Sequence, residues 1–235
     1  MRGSKFTKRS AVDPREVPAY PIAEAARYLR LPPATLRAWV LGRTYAKRSG
    51  SAHSPPLIII PDRKRTDLSF SNLVEAHVLR ALRTVHEVEI KDVRTAIAFA
   101  EREYSIKRFL LSPELLAAAG ELFLDKYGEL VSLSQSGQLA MRKVLERYLK
   151  RVERDEHELP IRLYPTTRDD TADGERVIAI DARIAFGRPV VLRQGIETAS
   201  IAQRIDARES VAEVAEDYGL TIAEVEEAVI YEHAA

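Results

Sequence analysis

Residues 22–40, IAEAARYLRLPPATLRAWV, decide how the N-terminal part of this chain folds. Ile22, Ala25, Ala26 and Leu29 recur at the spacing of one helical face. Leu31, Pro32 and Pro33 then force a turn, and Pro33 suits the first turn of a second helix, where its missing N–H would have no partner anyway. That helix carries Ala34, Leu36, Ala38, Trp39 and Val40, with Thr35 and Arg37 among them. Two short helices around a tight turn form a helix-turn-helix pattern, whose second helix is the one that enters a DNA major groove. Thr35 and Arg37 are placed to reach base edges or phosphates, Arg37 foremost, and Arg43 to reach the flanking backbone. Trp39 invites a stacking role, but its place three residues after Leu36 puts it with the core, and Tyr28 packs likewise.

The charge distribution around this stretch points the same way. The 235 residues carry a net charge of +1, yet Met1 to Arg65 hold fourteen Lys or Arg against four Asp or Glu, and the remainder 22 against 31. An anion-binding head on an acidic body has this asymmetry. Residues 1–19 read as a basic, flexible arm. Residues 42–56 are rich in Gly, Ser, His and Pro; the apolar run Leu57 to Ile60 follows and reads as a strand, closed by Pro61 and by Arg63, Lys64 and Arg65. Loop and strand beside the helix pair make a wing. On it Lys47, Arg48, His53 and the Arg63, Lys64, Arg65 cluster would lie against phosphates and supply salt-dependent affinity, and Tyr45 could touch DNA or solvent.

Further along, Ser69 or Ser71 caps a helix to about Val85, with Leu73, Val74, Val78, Leu79 and Leu82 on one face, and a second helix runs from about Ile90 to Glu103. Residues 122–134 show two apolar runs about Tyr127, Gly128 and Glu129, the pattern of a β-hairpin. A long helix is expected over 138–154, with Leu139, Val144, Leu145, Tyr148, Leu149 and Val152 as its buried stripe. Its other face is charged, and either is solvated or forms an arm whose Arg147, Lys150, Arg151 and Arg154 enter an acidic site of a partner. Residues 165–176, polar and breaker-rich, read as the main linker.

After it comes a strand near Val177 to Ile180, a turn at Gly187, Arg188 and Pro189, and three helices near 198–205, 210–218 and 221–231. The last two repeat the helix-turn-helix pattern, with Gly219 at the turn and Thr221 as N-cap. From Asp170 onward there are fourteen acidic residues against six basic, and the final helix bears Glu224, Glu226, Glu227 and Glu232 without a Lys or Arg. Such a helix repels phosphate. It suits protein contact, through homodimerisation or through a partner with a basic surface.

The fold class expected is mainly α with small β elements: a winged helix-turn-helix over 20–105, a hairpin and long helix over 106–164, and a homeodomain-like three-helix module over 177–235. Zero cysteines exclude disulfides, thiolate metal sites and a cysteine nucleophile. His53, His77, His86, His157 and His233 show no metal-ligand spacing, and no Gly-rich phosphate loop or nucleophile elbow occurs, so neither enzyme activity nor a cofactor or metal is expected. No apolar run reaches membrane-spanning length and no signal peptide opens the chain, which leaves the cytoplasm as the expected compartment and no membrane as partner.

With its Leu36, Arg37 and Trp39, the first module resembles the DNA-binding domain of the MerR group of winged-helix regulators. The C-terminal segment, through Asp181, Gly187, Arg188, Pro189, Ser210, Ala215, Tyr218, Gly219 and Leu220, resembles the small domain of antitoxins of the VapB type. The second resemblance implies a type II toxin–antitoxin pair. Its antitoxin is a homodimer that neutralises a PIN-like ribonuclease toxin with a magnesium-holding carboxylate cluster, and represses the shared operon at its operator DNA. A free-standing MerR-like dimeric regulator without a toxin is the alternative, and an assembly module that never touches DNA is a third.

Overall fold

The computed structural model describes residues 12–47, 50–84, 90–116, 118–131, 134–167 and 174–234. Ile22–Tyr28 (α1) and Pro33–Leu41 (α2) form the first helix pair, and their apolar faces bury Ala25, Ala26, Leu36, Trp39 and Val40. No side chain caps the start of either helix. α2 ends at Gly42, whose backbone has φ +78° and where an added Cβ would stand 2.5 Å from the Ser54 carbonyl oxygen. Glycine is therefore needed both for the left-handed turn and for the approach of the strand that follows.

That strand, Arg43–Lys47 (β1), pairs antiparallel with Gly50–Ser54 (β2), in a register that sets Thr44 opposite His53 and Lys47 opposite Gly50. The hairpin thus lies in the Gly- and Ser-rich segment. The strand expected over residues 57–60 does not form. Instead the backbone N–H groups of Leu57 and Ile58 both donate to the Trp39 carbonyl, at 2.7 and 3.0 Å, while Ile58 and Ile60 enter the core. The run is apolar because it seals the end of α2, with no strand partner to pair it.

Phe70–Thr84 (α3) is the central helix, and every residue from Phe70 to Leu79 is buried. Its first turn is held by the Ser69 hydroxyl, which accepts from the Asn72 N–H, while the Asn72 side chain accepts from the Ser69 N–H. Buried polar groups demand partners. Glu75 is answered by Asn72 and by Arg108, which also grips Glu16 at 2.9 Å. Glu16 and Asp13 belong to the segment expected as a flexible arm. Residues 12–19 are instead folded onto the body: Arg15 pairs with Asp155 at 2.9 Å, and Tyr20 forms a β-bridge with Leu68. Residues 1–11 of that arm lie outside the described residues.

Ile90–Tyr104 (α4) packs against Ala118–Val131 (α5), where the hairpin was expected. Phe123, Leu124 and Tyr127 fall at helical spacing and are buried, and Gly128 is a close-packing position where an added Cβ would meet the Gln138 side chain at 2.4 Å. The glycine that suggested a turn is thus a contact point between helices. Gln135–Leu149 (α6) packs on α3 and stops five residues before the expected end. Val152–Arg154 (β3) then turns back against Pro160–Leu163 (β4). Leu139, assigned to the buried stripe of this helix, is 60% exposed.

Residues 165–176 do not separate free modules. Leu163 and Ile180, one on either side of this segment, exchange two backbone hydrogen bonds, and Thr166 and Thr167 are buried. Residues 168–173 of it lie outside the described residues. Ile178–Ala179 (β5), Val190–Val191 (β6) and Ile196–Glu197 (β7) form an antiparallel sheet, topped by Thr198–Asp206 (α7), Val211–Tyr218 (α8) and Ile222–His233 (α9). Among the described residues the buried apolar side chains form two clusters. The larger spans Tyr20 to Leu163 with Ile180, and the smaller runs from Val177 to Tyr231. They meet where the Tyr231 hydroxyl donates to the Tyr28 carbonyl at 2.9 Å, Arg30 lies over the Tyr231 ring and Arg27 pairs with Glu232. The acidic helix pair is therefore docked on α1 of the basic one.

Candidate nucleic-acid interface

α2 presents Pro33, Ala34 and Arg37 to solvent, while Leu36, Trp39 and Val40 anchor its other side. An open groove of about 610 Å³ runs alongside it, between the hairpin and the ends of α3 and α4 that approach it. Among the described residues, Thr35, Trp39, Arg43 and Tyr45 line it together with Arg83, Lys91 and Arg94, and no carboxylate does. Arg83 is fixed by Thr35, to which it donates at 3.4 Å, and by the Trp39 ring, 6.0 Å from its guanidinium carbon. Trp39 is thus core, as its spacing indicated, yet one edge of it supports a cation at the groove. Arg94 donates to the Ser54 hydroxyl at 2.9 Å and to the Pro55 carbonyl, which ties α4 to the hairpin. Burial pulls its pKa below the ordinary arginine value, because desolvation disfavours the charged guanidinium.

The start of α2 adds to this field. Pro32 supplies no side-chain cap, so the positive end of the helix is left open to an anion. Clustered cations beside an uncapped helix end form a surface suited to phosphate.

Of the residues singled out in the sequence, the structure brings Thr35, Arg43 and Tyr45 into one groove, with Tyr45 42% exposed. Arg37 lies on the exposed strip of α2 outside the groove lining, and Lys47 sits at the hairpin end, opposite Gly50. Arg48 lies outside the described residues. Arg63, Lys64 and Arg65 are exposed on the turn before α3, where Arg65 is held by Asp67 at 3.2 Å. Arg83 and Arg94 were missed. Each lies a full helix away in sequence, and the only local signal was a cation off the apolar stripe of its helix.

The arginine arm expected on the long helix is not present. Because α6 ends at Leu149, Arg151 and Arg154 leave its charged face. Arg151 is 1% exposed, with its guanidinium 5.2 Å from the Tyr148 ring centre, and Arg154 is spent on the Leu111 and Glu158 carbonyls at 2.6 and 2.7 Å. Arg147 is half-buried over Tyr148, and Lys150 stays exposed.

Two family models match this chain. Residues 18–97, which contain α1, α2, the hairpin and α3, match one described as "Putative DNA-binding HTH domain". The head is thus similar to helix-turn-helix domains of that description. Residues 178–231 match a protein family of unknown function, DUF433. Over 226 residues the chain is 29% identical to a curated Mycobacterium tuberculosis relative named "Putative antitoxin VapB45", covering 88% of this chain and 90% of that one. A second M. tuberculosis relative, the uncharacterized protein Rv2308, is 26% identical over 232 residues, covering 92% and 90%. The crystal structure of Rv2018 from the same organism superposes with a TM-score of 0.66 at 24% identity, covering 91% of this chain and 97% of that one, and so shares the fold. The chain is thus similar over most of its length to an antitoxin-named relative. Among the described residues no helix is long and apolar enough to cross a membrane, and no cluster of potential metal ligands occurs.

Proposed function

We propose that the protein is a homodimeric, non-enzymatic antitoxin of a type II pair that represses its own operon and silences a PIN-like ribonuclease, acting in the cytoplasm. The observation that carries the DNA half is the groove of Arg43, Arg83 and Arg94, with no carboxylate among its described lining residues, beside the open N-terminus of α2. In this reading α2 lies in the major groove with Arg37 toward a base edge and Thr35 toward a phosphate or base. The β1–β2 hairpin acts as the wing, in a MerR-like arrangement, with Arg43, Tyr45, Lys47 and Arg48 against the backbone, and Arg63, Lys64 and Arg65 extend the phosphate contacts.

The toxin half rests on the antitoxin-named relative and on the outward face of α9. There Ile222 and Ile230, 54% and 58% exposed, flank exposed Glu226. An apolar stripe edged with carboxylate fits a partner with a basic rim, and takes over the role assigned to the arginine arm.

The test is a gel-shift titration of duplex DNA from upstream of the chain's own reading frame. Arg83→Ala and Arg94→Ala are each expected to weaken binding and to reduce the salt slope by about one. Unchanged affinity and slope in both would reject the docking model. For the toxin half, the product of the adjacent reading frame is expected to co-purify with wild type and to be lost with Ile230→Asp.

A further inference from the structure

Phe186 is the most exposed large apolar side chain among the described residues, at 90%, and it sits in a backbone no aromatic residue favours: Ala185 and Phe186 are both left-handed, with φ +46° and +54°. Two consecutive non-glycine residues in that region persist only where the surroundings impose them, and such outliers point to function. The turn is imposed from below. Gly187 packs on Tyr20 so closely that an added Cβ would stand 2.1 Å from the tyrosine oxygen. The result is a phenyl ring raised on the rim of an apolar groove of about 210 Å³, lined by Val17, Ala19, Tyr20, Phe70 and Ala182 with Phe186 itself. An engineered apolar cavity of about 150 Å³ accommodates benzene, so this groove has room for one further phenyl ring. Tyr20 is 2% exposed, and its hydroxyl has no hydrogen-bond partner among the described residues.

We infer that this surface is a homotypic interface, in which Phe186 of one copy enters the groove of a second copy and receives the other's Phe186 in return. A knob beside its own hole is self-complementary under a two-fold axis, the geometry of an isologous dimer. Charge selects the same occupant. The basic head would repel its own copy, and so would the acidic outward face of α9. Beside the Phe186 groove lies a cleft that shares Ala182 with it, and there both signs alternate and each carboxylate has an arginine partner: Asp13 and Asp155 pair with Arg15, Asp181 with Arg162 and Arg183, and Glu153 behind them with Arg162. Two copies can meet there without like-charge repulsion. The inference rests on the homodimer reading above and gives that dimer its contact.

Sedimentation velocity on the full chain tests it. Wild type is expected to be dimeric at micromolar concentration. Phe186→Ala and, from the opposite wall, Val17→Glu are each expected to raise the dimer dissociation constant at least tenfold, while Phe186→Leu retains the dimer. Because the chain has no cysteine, Phe186→Cys is expected to give a covalent dimer with a short bismaleimide, and Glu226→Cys on α9 is not. A monomeric wild type, a Phe186→Ala dimer as tight as wild type, or cross-linking through position 226 instead would overturn the assignment. Thermal melts by circular dichroism separate dissociation from misfolding, since the exposed Phe186 leaves the monomer fold intact when truncated. Arg37→Ala should remain dimeric. A dimeric Arg37→Ala that binds operator DNA as tightly as wild type would reject the operator reading and leave this interface standing.

Discussion

The two helix-turn-helix units of this chain share a plan and differ in how their helices begin. α8 and α9 each start with a complete capping box: Ser210 with Glu213, and Thr221 with Glu224. In both, a glutamate accepts from the backbone N–H of the cap residue, so the positive helix end is occupied by the protein's own carboxylate. α2 starts with Pro32 and Pro33, has no side-chain cap and no acid in its first turn. On the proposed reading, the contrast teaches that similar helix pairs can be given opposite partners by what fills the helix end. A filled one is self-sufficient and repels phosphate, whereas an open one seeks an anion, and here three arginines line the groove beside it.

The sharpest way to break this contrast is to ask whether the two units stand on separate cores. Trp39→Ala deletes a side chain 2% exposed in the larger cluster, and aromatic-to-alanine changes in cores cost about 3–5 kcal/mol. Amide protection is expected to fall through α1 to α4 and to persist in α7 to α9. Simultaneous loss in both would mean that the Tyr231–Tyr28 contact fuses them into one cooperative unit. A smaller effect tests the partner assignment. Arg37→Ala should cost about 1–3 kcal/mol of operator affinity if it reads a base. Glu226→Ala, at an exposed position on α9, should cost none, and comparable losses would erase the distinction between the helices.

Most of the helical scaffold could be read locally. α1, α2, α3, α4 and the three C-terminal helices announce themselves through apolar periodicity and through caps such as Ser69, Ser210 and Thr221, whose partners lie three residues away. The failures share a cause of longer range. Gly128 suggests a turn until α6 is seen packed on it, and residues 57–60 suggest a strand until the Trp39 carbonyl takes their N–H groups. Nothing near Arg151 marks the end of α6, because neither Gly nor Pro is needed when the chain reverses into β3. The site was half legible for the same reason. Thr35, Arg43 and Tyr45 follow from the helix pair and its wing, but Arg83 and Arg94 reach the groove only through the packing of α3 and α4.

Removing a cap measures how far the C-terminal unit depends on its filled helix end. The Thr221 hydroxyl accepts from the Glu224 N–H at 3.2 Å, and the Glu224 carboxylate accepts from the Thr221 N–H at 2.7 Å. Thr221→Ala is expected to lower stability by about 1 kcal/mol, read by urea denaturation. The same change should leave operator affinity alone, since α2 has no such cap to lose. An affinity loss in Thr221→Ala would show that the acidic unit positions α2 through Glu232 and Arg27.

Acid provides the gentlest probe, because it empties the helix end without altering a residue. Glu224 is 9% exposed and is gripped by Arg193 at 2.7 and 2.8 Å, and this pairing, assisted by the Thr221 N–H and hydroxyl against the opposing effect of burial, holds its pKa at about 2 rather than 4.5. A carboxyl whose folded pKa lies below its unfolded value binds fewer protons in the folded state, so its stabilisation is complete above pH 4.5 and is lost as pH falls toward about 2. Stability measured by urea denaturation is therefore expected to decline more steeply across that window in wild type than in Glu224→Gln, whose amide does not titrate. Asp13, Asp181, Glu209 and Glu213 are also held below their ordinary values, by arginines for the first three and by Ser210 for Glu213, so the variant should flatten the profile without levelling it. Trp39 is the only tryptophan, and its fluorescence reports the head separately. Its emission should hold while the α9 cap titrates, because no carboxylate fills the start of α2. Parallel profiles for wild type and Glu224→Gln would mean that the pair with Arg193 adds no stability, and that the filled helix end matters only for the sign of what α9 can meet.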